Sequence, residues 1–66
     1  MTFAAFVAEL IIAEKYRQRP GQLAYNMLRK VRPDLADQVR GQQGIDPFHR
    51  DDNLPAFFQF VEDNWT

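Results

Sequence analysis

At 66 residues, the chain is expected to form a single helical domain, 1–66, about half the usual domain size. It is 45% hydrophobic and 14% aromatic and has no cysteine, which favours a folded chain over a disordered one and excludes disulfides and thiolate zinc sites. The net charge of −1 conceals a polarity: residues 1–33 carry six basic and two acidic side chains, residues 34–66 two basic and seven acidic. A chain of that kind pairs its own halves, joins head to tail or offers two unlike faces to partners.

Thr2 is placed as an N-cap ahead of an Ala-rich, Glu-bearing run. At helical spacing, Phe3, Phe6, Val7, Leu10 and Ala13 share one face, while Ile12 and Tyr16 fall nearly opposite. A helix apolar on two sides is either sandwiched between neighbours or shows one stripe to a partner. Glu14 lies at the end of the core stripe, where Arg17 or a later arginine is its expected counter-charge.

Arg19-Pro20-Gly21-Gln22 breaks this helix and opens the next, proline suiting a first helical turn and glycine freeing the turn. Leu23, Ala24, Met27, Leu28 and Val31 cover one face of residues 21–32, with Tyr25 at the boundary. Asn26, Arg29, Lys30 and Arg32 lie on or beside the polar side, the basic residues suiting the negative C-terminal end of the helix dipole.

After the stop at Arg32-Pro33, Asp34 is expected to cap a short third helix with Asp37 in its first turn and Leu35, Ala36 and Val39 facing inward. Gly41 reads as its C-terminal cap, and Asp46-Pro47-Phe48 as a turn whose Ile45 and Phe48 plug onto the core. A last helix begins near Asn53 and Leu54, and Leu54, Phe57, Phe58, Val61 and Trp65 line its inner face. Burying such side chains is worth roughly 1.5–3 kcal/mol each, so this helix is expected to anchor the core, with Trp65 closing it. No segment alternates with period two. The expected fold is all-α, a compact bundle of three to four short helices around Phe3, Phe6, Leu10, Leu23, Met27, Val31, Phe57, Phe58, Val61 and Trp65.

Enzyme chemistry finds little purchase. His49 is the single histidine, and there is neither serine nor cysteine to pair with it as a nucleophile. Asp46, His49 and Asp51 form a thin metal set with Arg50 among them, and a solvated capping loop is the plainer reading. His49-Arg50-Asp51 copies three letters of the kinase catalytic loop in a chain too small for two lobes. A non-enzymatic protein without cofactor or metal is expected. No apolar run approaches the roughly 18 residues of a membrane span, and the first residues lack a basic n-region, so a soluble cytoplasmic protein is expected.

The string Arg19-x-Gly21-Gln22-x-x-x-Asn26-x-Leu28, then Arg32-Pro33-x-Leu35-Ala36, Asp46-Pro47-Phe48, Leu54-x-x-Phe57 and Asn64-Trp65, resembles a group of short uncharacterised proteins encoded in bacteriophage and prophage genomes. The resemblance runs from Arg19 onward; residues 1–18 share only an amphipathic helical character. It implies a small protein in the cytoplasm of a bacterial host cell, made to bind a host component, and it assigns no functional residues.

The expected function is therefore that of a small phage-type accessory protein that binds and modulates a host protein, inhibition being one form of modulation. The expected surface is Ile12, Tyr16, Arg19, Gln22, Tyr25, Asn26 and Arg29, since aromatic and arginine side chains are common interface anchors. One alternative is a helix-turn-helix-like nucleic-acid binder using Arg29, Lys30 and Arg32 on phosphates. Another is a structural domain that pairs with itself, a homodimer joined through Ile12 and Tyr16.

Overall fold

The computed structural model describes residues 1–13 and 18–66. Among them lie four helices and no strand: α1 (Phe3–Ala13), α2 (Pro20–Val31), α3 (Pro33–Val39) and α4 (Leu54–Asn64), the last preceded by a 3-10 turn at Asp51–Asn53. The fold is all-α, and its radius of gyration of 10.6 Å matches the value of about 11 Å for a packed chain of this length. Glu14, Lys15, Tyr16 and Arg17 lie outside the described residues, and with them the expected Glu14 ion pair.

Each helix starts where local chemistry permits. Thr2 caps α1 as expected, its Oγ1 accepting the Ala5 N–H at 3.1 Å. Pro20, Pro33 and Pro55 each occupy the first turn of α2, α3 and α4, where no intrahelical N–H is needed. Asp34 does not cap α3. It sits inside the first turn, and Arg32 is the N-cap residue without a side-chain capping bond. The reason is position: Pro33 already opens the helix, and both carboxylate oxygens of Asp34 accept from the Arg32 guanidinium, at 3.0 and 2.9 Å. Gly41 ends α3 at φ +75°, the left-handed conformation expected of a C-terminal glycine.

The core joins all four helices. Phe6, Leu28, Leu35, Val39, Phe57 and Val61 are its largest fully buried helical side chains. Phe3, Met27, Val31, Phe58 and Trp65, all expected inside, are half-buried and packed against that centre. The short α3 is more central than its seven residues suggest, with Leu35, Ala36 and Val39 all buried against neighbours that include α2 and α4. Trp65 stands just beyond α4 in extended backbone, so it reaches the core by leaving the helix and not by continuing its stripe. There it stacks on Phe6 at 5.4 Å and meets Phe3 edge-on at 6.0 Å. Its indole N–H donates to the Met1 carbonyl at 3.0 Å, drawing the start and end of the described chain together.

Candidate functional site

The residues expected to form one surface divide into groups with different surroundings. Ile12 is 60% exposed on α1, beside Ile11 at 63%. With Met1, they are the large aliphatic side chains most open to solvent among the described residues. Tyr16 lies outside those residues. Gln22 and Asn26 are half-buried on α2, and Arg29 and Lys30 are exposed in its last turn.

Tyr25 departs from the expectation. It is 8% exposed, because the loop after α3 folds back and lays Phe48 edge-on against its ring, at 5.6 Å between centroids and 87° between planes. Helical periodicity places Tyr25 at the edge of the apolar face; the non-local loop covers it. It is a packing residue and not an exposed anchor.

Arg19 is exposed but committed. Its guanidinium donates to Asp51 Oδ1 at 3.3 Å and to the Phe48 carbonyl. The same Asp51 oxygen accepts the Gly21 N–H at 2.9 Å. Gly21 lies in the first turn of α2, whose N–H groups have no intrahelical acceptor and whose end carries partial positive charge. Asp51 therefore caps α2 from 30 residues away, at an end where the preceding Arg19 supplies no side-chain cap. Gly21 is needed for closeness and not for turn freedom. Among the described residues only Gly41 and Gly44 have positive φ, whereas a Cβ on Gly21 would collide with the Pro47 carbonyl and come within 2.7 Å of Asp51 Oδ1.

Arg32, expected as a phosphate contact, is likewise held. Its side chain is 21% exposed, paired with Asp34 and donating to the Thr66 main-chain oxygen at 3.2 Å. Its guanidinium carbon lies 5.0 Å from the Trp65 ring centroid, in cation–π range. The hydrogen bonds from Arg32 hold the Asp34 carboxyl below its ordinary pKa, and those to Asp34 raise the Arg32 pKa further. Of the proposed phosphate contacts, Arg29 and Lys30 remain open on the surface.

The carboxylates weighed as metal ligands serve the backbone. Asp46 Oδ1 accepts the Phe48 N–H at 2.9 Å and its Oδ2 accepts the Gly41 N–H at 2.8 Å, while Asp51 caps α2. No group of three or more histidine or acidic side chains is placed to hold a metal ion among the described residues. Nor is any helix among them long and apolar enough to cross a membrane. The hydrogen bonds of Asp51 and the loop cover over Tyr25 escape sequence reasoning because they join residues 23 to 32 positions apart. The one local signal is Asp46-Pro47-Phe48, which marks the turn from which they radiate. No protein-family model matches this chain, and no curated protein or solved structure is detectably similar to it.

Proposed function

We propose that the chain is a small phage-type accessory protein that works by protein–protein interaction in the bacterial cytoplasm, binding and modulating a host protein without catalysis. The observation that carries this reading is the adjacent pair Ile11 and Ile12, both mostly exposed on a short helix whose other face is packed into the core. Burying both is worth about 3–6 kcal/mol in total, short of the roughly 8 kcal/mol of a micromolar complex. Polar side chains must supply the difference, and Gln22, Asn26 and Arg29 on α2 are the residues proposed for that role. Arg19 and Tyr25 are left out of this surface, since one clips the α2 terminus and the other lies under Phe48.

The test is capture of host protein from nuclease-treated and untreated bacterial lysate on the immobilised chain, with Ile12→Glu in parallel. The reading expects one protein retained in both lysates by the natural sequence and lost by Ile12→Glu, whose side chain already faces water. Retention that disappears with nuclease favours nucleic-acid binding through Arg29 and Lys30, and overturns it. The self-association alternative, through Ile12 and Tyr16, predicts sedimentation that changes with dilution, by mass action.

A further inference from the structure

We infer that the cleft between the C-terminal end of α2 and the loop after α3 binds a small-molecule oxyanion, a phosphate or carboxylate group, through Arg29 and Arg40. The cleft has a volume of about 260 Å³ and is lined by Tyr25, Arg29, Arg40, Asp46, Phe48 and His49. Its two arginines come from different elements, Arg29 from the last turn of α2 and Arg40 from the C-cap of α3. Neither has a carboxylate within salt-bridge distance among the described residues, although Asp46 lines the same cleft. Arg19 and Arg32 are paired with carboxylates, whereas these two share a cleft without such a pair among the described residues.

The walls are fixed by the fold. Asp46 ties the loop by accepting the Gly41 and Phe48 N–H groups, one on each carboxylate oxygen. Phe48 is thereby set edge-on against Tyr25, and His49 against Phe48 at 4.7 Å and 79°. The one acid in the cleft is therefore engaged with backbone donors, and two guanidinium groups outweigh its charge. Guanidinium groups offer planar, paired N–H donors that fit carboxylate and phosphate oxygens. The space admits a group of that size and is small for a drug-sized ligand. The cleft shares Arg29 with the proposed host-protein contact but rests on Arg40 and the loop after α3, whereas that contact is carried by Ile11 and Ile12 on α1.

The experiment is a backbone-amide NMR titration of the intact chain with inorganic phosphate and, separately, with acetate, at ionic strength held constant with chloride. The expected result is saturable shifts at Tyr25, Arg29, Arg40, Phe48 and His49, with a millimolar or tighter dissociation constant for at least one probe. Preference for phosphate assigns a phosphate-bearing ligand, and preference for acetate a carboxylate. Arg29→Gln and Arg40→Gln each weaken binding about tenfold or more, while Lys30→Gln, outside the cleft, changes it less than about twofold. Both arginines are exposed, so their variants keep the helical circular dichroism of the parent, and either one alone decides the test. Shifts that rise without saturating for both probes, or equal weakening by Lys30→Gln, overturn the inference.

Discussion

At the C-terminal end of α2, Arg32 lies against Trp65 and donates to Asp34 and the Thr66 main-chain oxygen. One turn earlier, Arg29 faces a cleft with no carboxylate in salt-bridge reach among the described residues. The two arginines leave neighbouring turns of one helix and enter opposite environments. Around Arg32 an aromatic, an acid and a main-chain acceptor are assembled, and its charge is balanced within the fold. Around Arg29 the walls are equally ordered, yet the positive charge is left facing solvent. Charge content alone therefore says little about binding; what separates a structural arginine from an available one is whether the fold brings it a counter-charge.

The largest loss is expected at the Trp65 end. Trp65→Ala removes the stack on Phe6, the edge contact with Phe3, the bond to Met1 and the face under Arg32. A loss of about 3 kcal/mol is expected, at the low end for such truncations because Trp65 is only half-buried. Domains of this size hold roughly 3–10 kcal/mol in total, so chemical denaturation should show a large fall in midpoint or no folded baseline. Gly21→Ala comes next. Its methyl group enters the space of the Pro47 carbonyl and crowds the Asp51 cap, and overpacking of that kind costs about 2 kcal/mol by the same measurement.

A smaller effect sharpens the paired side of the contrast. Asp34 has its pKa lowered in the fold, chiefly by the hydrogen bonds from Arg32, so it binds its proton less readily folded than unfolded. Its stabilising contribution is present above the unfolded carboxylate pKa of about 4 and is lost as pH falls through the lower folded value. Thermal unfolding of Asp34→Asn should lie slightly below the parent at neutral pH, and the gap should close as pH falls below the ordinary carboxylate range. A gap that widens on acidification contradicts this assignment. The smallest effect belongs to the open side: Arg29→Gln and Arg40→Gln each leave stability within about 0.5 kcal/mol, because neither removes a salt bridge seen among the described residues.

The sequence made the helices legible because their apolar residues repeat at helical spacing and three of their starts are marked by Thr2, Pro20 and Pro55, while Pro33, legible as a stop, also opens α3. Leu35, Ala36 and Val39 were readable as an inward face, though not as the centre of the core, since burial depth depends on which helices close over them. Tyr25 was misplaced for the same reason: its partner Phe48 is 23 positions away. The commitments of Arg19 and Arg32 were hidden too. A basic run reads as a solvated or binding face until the acids that meet it are located in space, and Asp51 is 32 residues from Arg19. At the proposed surface, the exposure of Ile12 opposite the core stripe followed from periodicity, while the Arg29–Arg40 cleft had no sequence signature. It exists only because Asp46 folds the intervening loop back.

If Ile11 and Ile12 serve binding and not folding, Ile12→Glu separates these roles in one variant. Its denaturation midpoint is to be measured beside its capture of host protein from nuclease-treated lysate. Stability within about 0.5 kcal/mol of the parent and loss of the captured protein are expected. Unfolding of the variant, or undiminished capture by a folded one, contradicts the binding role.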